Sequence, residues 1–130
     1  METPAIGVAL GTIGQIAITV KDVDRATRFY RDTLGMKFLF EFPGLAFFDA
    51  GGVRLMLSRA ENPEFDHPAS ILYYKVTDIG GTHRSLESKG VKVEEVPHLI
   101  AAMPDHDLWI GAYRDSEGNH FALMSEVPRA

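Results

Sequence analysis

At 130 residues the chain is of single-domain length, enough to bury one core. A hydrophobic share of 45% and a charged share of 24% are those of an ordinary globular domain. The net charge of −5, with no basic run, argues against nucleic acid, and the lack of cysteine excludes disulfides, thiolate zinc sites and a cysteine nucleophile.

Residues 1–14 have no basic stretch and are broken by Pro and Gly, so they do not read as a secretory signal. No apolar run approaches the roughly 20 residues that span a bilayer. The expected setting is the cytoplasm, with no membrane partner.

In chain order, 1–12 read as an N-terminal arm, and 15–22 (QIAITVKD) as a strand running into an acidic helix cap. Val23, Ala26, Tyr30 and Leu34 then form one helical face, which Gly35 ends. Three short strands are expected at 36–42, 45–50 and 53–58, with turns at Pro43-Gly44 and Gly51-Gly52. The polar segment 59–69, with two prolines, reads as a linker.

The same pattern then repeats about 56 residues on. Residues 71–78 (ILYYKVTD) form a strand and cap, and Ile79, Thr82, His83 and Leu86 a helical face that stops at Gly90. Strands follow at 92–97, 107–114 and 119–125. The expected fold is α+β: two tandem βαβββ modules, 13–58 and 70–126, in one domain (13–126), forming a curved, cup-shaped mixed sheet with its helices outside.

Strand alternation separates two faces. Ile16, Ile18, Val20, Val53, Leu55, Leu57, Leu72, Tyr74, Val76, Phe121 and Leu123 belong under the helices. Opposite lie Gln15, Ala17, Thr19, Arg54, Met56, Ser58, Ile71, Tyr73, Lys75, His120, Ala122 and Met124. This second face is apolar with a few polar groups, as a ligand cavity requires. Trp109 and Tyr113 share one face of their strand and are expected to wall the cavity, and Phe38, Phe40 and Phe42 share a face of another. The ligand-binding set is therefore Gln15, Arg54, Met56, Tyr73, Trp109, Tyr113, His120 and Ala122.

Of the five histidines, His83 reads as a packing residue and His67 as an exposed linker residue. His98 and His106 belong to the segment PHLIAAMPDHDLW, which reads as a lid over the cup. With His120 they are the candidate acid or base groups, since imidazole titrates near neutrality.

The acidic cap, the helix carrying Phe29-Tyr30, the exit Leu34-Gly35-Met36 and the later D-x-x-G-N turn, Asp115 to Asn119, together resemble the vicinal-oxygen-chelate superfamily of glyoxalase, bleomycin-resistance and dioxygenase-like proteins. The resemblance covers about residues 13–126. It implies a cup that binds a small molecule, often in a homodimer, and in metal-dependent members a divalent ion held by one ligand from each of four strands.

Placed by spacing, those four positions are Gln15, Met56, Ile71 and Ala122. Gln is acceptable, but Ile and Ala have no donor and a thioether is too soft for a hard ion. One-residue slips bring in only the Ser70 hydroxyl, and the glutamate used by glyoxalases as general base is missing. The expectation is a small-molecule-binding protein without the family metal or any other cofactor, its ligand aromatic or carbonyl-bearing. The alternatives are a lyase, isomerase or dioxygenase-type enzyme using cavity histidines or a metal site relocated to His98, His106 and His120, and a module that only dimerises.

Overall fold

The computed structural model describes residues 8–9 and 11–129, so most of the N-terminal arm lies outside the described residues. The first module runs β1 (Gln15–Thr19), α1 (Val23–Arg28), β2 (Lys37–Phe42), β3 (Leu45–Ala50) and β4 (Val53–Ser58). A short 3-10 turn at Pro63–Phe65 lies in the linker. The second module repeats the order with β5 (Leu72–Lys75), α2 (Ile79–Ser88), β6 (Lys92–Ala102), β7 (His106–Arg114) and β8 (His120–Pro128).

Both helices start at the acids that alternation and capping had marked. The Asp22 carboxylate accepts from the Arg25 N–H at 3.0 Å, and Asp78 from the Gly81 N–H at 2.9 Å, each satisfying a first-turn donor. Gly35 and Gly90 leave the helical region at φ 68° and 80°. The first helix does not run regularly to its end: Phe29–Thr33 form a π-helical turn, with the Leu34 N–H donating to the Phe29 carbonyl.

The fold is the expected α+β arrangement of two βαβββ modules. The strands form two four-stranded mixed sheets, ordered β1-β4-β3-β2 and β5-β8-β7-β6. In each, the first strand pairs in parallel with the last and the remaining pairs are antiparallel. Strands β1 and β5 therefore stand at sheet edges, and among the described residues no strand of one sheet pairs with a strand of the other.

The helix-side faces close as the alternation requires. Ile18, Val20, Val23, Tyr30, Phe48, Leu55 and Leu57 are buried in one core, and Ile79, Leu86, Val91, Tyr113, Phe121 and Leu123 in the other. The cores share residues across the modules: Leu72 packs on the first, and Phe29 and Leu34 on the second. The π turn serves this sharing, placing the Phe29 ring against Phe121 while the adjacent Tyr30 ring meets Phe48. The first helix is thus wedged between modules and not wholly outside.

The turn between β7 and β8 fixes the wedge. Asp115 accepts from its own turn's Glu117 and Asn119 N–H groups and from the Tyr30 hydroxyl at 2.7 Å. Glu117 accepts from the Lys21 and Asp22 N–H groups and from the Arg25 guanidinium at 2.7 Å. Asn119 donates to the Thr19 carbonyl. A turn of the second module thereby supplies partners to the first turn of the first module's helix.

The segment expected to be a lid is not a loop. Strand β6 continues through His98 and Leu99 to Ala102, and β7 begins at His106, so the segment forms the end of a long hairpin. Pro97 is tolerated because β6 is an edge strand and its ladder steps from Glu95 to His98 across the proline.

Candidate functional site

Each sheet presents an open face away from its helix, forming one half of a cup. In the first half-cup the parallel register sets Gln15 beside Arg54 and Ala17 beside Met56. The Arg54 Nε–H donates to Gln15 Oε1 at 2.8 Å, and Gln15 Nε2 approaches the Met56 sulfur at 3.8 Å. Antiparallel pairing adds Phe47 opposite Met56. The Arg54 guanidinium lies over the Phe47 ring, 5.6 Å from its centre.

The phenylalanine stripe of β2 is split. The register shifts between Phe38 and Phe40, and this bulge sends the side chains before and after it to opposite faces. Phe38 turns under the helix against Phe48, with ring centres 5.5 Å apart. Phe40 and Phe42 turn into the half-cup and meet Phe47. Part of the linker, with Arg59 and His67, walls one end of this face beside Ala17 and Met56, bounding an open cavity of about 420 Å3.

In the second half-cup the register sets Tyr73 beside Ala122, Lys75 beside Met124 and His120 beside Arg114. Its charges are paired. Lys75 Nζ contacts Glu126 at 2.6 Å, and the other Glu126 oxygen lies 3.2 Å from His106 Nε2. His106 Nδ1 is 2.7 Å from Asp105. The Lys75 ammonium holds the Glu126 carboxyl below the usual range, and the His106 hydrogen bond does the same for Asp105. Arg114 is hydrogen-bonded to Glu94, which it likewise holds low.

Trp109 and Tyr113 do not wall the cup. Tyr113 is opposite Phe121 on β8 and is 0% exposed in the second core, its ring stacked on Phe121. Its hydroxyl hydrogen-bonds His83 Nδ1 at 2.9 Å, and burial pushes it up to about 12. Trp109 packs against the same core. His83 is the packing residue expected, and exposed His67 is hydrogen-bonded to the adjacent Pro68 carbonyl.

The structure does not bring the three candidate histidines together. His98 lies opposite Ile110 on β6, with Nδ1 at the Val96 carbonyl, His106 at the start of β7, and His120 at the start of β8. Among the described residues no three His, Cys, Asp or Glu side chains gather closely enough to hold a metal ion. The family's usual position fits no better: the Gln15 oxygen already accepts from Arg54, and Met56, Ile71 and Ala122 offer no hard donor.

Sequence reasoning missed Phe47 and Glu126. Both were readable: Phe47 alternates with Leu45 and Asp49 in LAFFDA, and Glu126 is two places beyond Met124. A further cavity of about 600 Å3 lies between the modules, lined by Leu34, Met36, Tyr74 and Phe121 together with the charged Lys37, Asp49 and Lys75.

Comparison with known proteins agrees with this geometry. The profile of the Glyoxalase/Bleomycin resistance protein/Dioxygenase superfamily matches residues 12–123. An uncharacterised Bacillus subtilis protein, YraH, is 30% identical, with 81% of this chain and 91% of that protein aligned. The crystal structure of a lactoylglutathione lyase from Agrobacterium tumefaciens superposes with a TM-score of 0.69 at 25% identity, covering 89% of this chain and 94% of that one. TnmS3, an antibiotic-binding protein from a Streptomyces species, superposes with a TM-score of 0.72 at 20% identity, covering 92% and 99%.

Proposed function

The chain belongs to the glyoxalase/bleomycin resistance protein/dioxygenase superfamily, and from that premise we propose that it binds a small organic molecule, without a metal, in cups completed by a second copy. One observation carries the reading: each chain holds two open half-cups whose edge strands, β1 and β5, are paired on one side only among the described residues. Ile71 and Tyr73, on the edge and open face of the second half-cup, are about half exposed. A two-fold pairing that sets β1 of each copy beside β5 of the other covers both edges and closes on itself. The resulting cups are mostly apolar with a few placed polar groups, suited to sequestering a compound in the cytoplasm.

Sedimentation combined with a thermal-shift screen of chemically mixed compounds tests this. A dimer whose melting temperature rises with a bound compound is the expected result. A monomer that no compound stabilises overturns it. Elemental analysis showing about one tightly held divalent ion per chain would sink the metal-free part.

One observation favours an enzymatic second reading. His106 is held between two carboxylates, Asp105 and Glu126, on the half-cup that carries Lys75. With both ring nitrogens facing carboxylate acceptors, the imidazole is set as a donor, so the role it could take toward a carbonyl substrate is that of a general acid at the carbonyl oxygen. His106→Gln would then abolish turnover of a carbonyl substrate while sparing its binding, and unchanged turnover would remove this reading.

A further inference from the structure

The first half-cup sets aromatic rings beside an uncompensated cation. The β2 bulge brings Phe40 and Phe42 to Phe47, with ring centres 4.7, 5.6 and 6.3 Å apart. Phe40 is 40% and Phe42 58% exposed, so two faces of this cluster lie open. Arg54 is fixed beside them by the Gln15 oxygen at Nε and by the Phe47 ring beneath. Its two terminal nitrogens have no partner among the described residues. The carboxylate across the ladder, Asp49, accepts instead from the Gly52 N–H at 2.8 Å.

A guanidinium held this way keeps its terminal N–H groups available for a planar acceptor. Two parallel hydrogen bonds to a carboxylate match its fork. Rings favour stacked or edge-on contact with other rings, and the Met56 thioether on the adjacent strand is suited to contact at a ring edge. Among the described residues the second half-cup offers no comparable anion site, because Lys75 is committed to Glu126 and Arg114 to Glu94.

We propose that the ligand is a planar aromatic carboxylate, its ring system against Phe40, Phe42 and Phe47 and its carboxylate on the terminal nitrogens of Arg54. Gln15 is a positioning residue that holds the guanidinium. The assignment rests on the small-molecule reading above and narrows it.

The test is calorimetric titration of the full chain with 2-naphthoate, 2-naphthamide and 2-naphthylmethylammonium, which share a ring system and differ in charge. Naphthoate is expected to bind at least about tenfold more tightly than the other two. Arg54→Met should bring naphthoate to the level of the amide and leave the amide within about twofold. Phe42→Ala should weaken all three. Equal affinities in the unaltered protein overturn the anion assignment and leave the cup reading intact. A preference for naphthoate that survives in Arg54→Met overturns the role of Arg54. Binding of none overturns the ligand class, and the mixed-compound screen then shows whether the cup reading falls with it.

Discussion

The two modules repeat one backbone plan, yet their open faces and their last turns differ in kind. The first half-cup shows rings and an arginine with unused donors, whereas the second pairs lysine, glutamate, histidine and aspartate among themselves. Turns diverge in the same way. Between β3 and β4 the turn is Gly51-Gly52, without side chains, whereas between β7 and β8 Asp115, Glu117 and Asn119 all reach into the first module. Once a repeat has secured its core, each copy's remaining positions are free to diverge, one here leaving rings and an arginine open and the other holding the modules together.

The largest expected effect comes from breaking the turn that has no counterpart. The Glu117 side chain is 1% exposed, and its removal leaves two backbone N–H groups and the Arg25 guanidinium without their acceptor. Glu117→Ala should cost about 2–3 kcal/mol in urea unfolding, whereas alteration of the glycine turn can disturb no such contact between modules.

The same group sets a pH dependence. Burial pushes the Glu117 carboxyl up, but Arg25, the Asp22 N–H, the Ser116 hydroxyl and the Lys21 N–H outweigh it and hold it at about 2. A carboxyl lowered on folding contributes fully above its unfolded value near 4.3 and loses that contribution as pH falls through about 2. Stability should therefore fall across that window, and Glu117→Gln should flatten the fall.

A smaller effect separates the two sides of the second sheet. Tyr113→Phe removes the hydroxyl that meets His83 on the helix side. About 1 kcal/mol of stability should be lost, with ligand affinity unchanged in titration. The smallest concerns the exposed pair on the open side. Lys75→Met should lower the melting temperature slightly at low salt and not at high salt, since exposed pairs are screened.

Much of this was legible in the sequence. The caps at Asp22 and Asp78 and the alternation around Ile18 and Leu55 follow from local chemistry, and they held. Trp109 and Tyr113 show where such reading stops. Alternation correctly put them on one side of their strand, but parity does not say which side is inside. The pairing does, because the turn from Asp115 to Asn119 sets Tyr113 against Phe121, already assigned to the core. The β2 bulge was hidden for a related reason: the three phenylalanines of KFLFEF are evenly spaced, and only the partner strand reveals the shifted residue. Glu117 was hidden because its partners, two backbone N–H groups and the Arg25 guanidinium, lie far away in the chain and leave no local pattern of residue types.

The open edges at β1 and β5 carry a last consequence. In the dimer proposed above, every cup draws one sheet from each copy, so association and ligand capture become one linked equilibrium. Below the dimer's dissociation constant, doubling the amount of protein more than doubles the number of working cups. The expression level would then act as a dose control, with binding capacity rising more steeply than the protein itself.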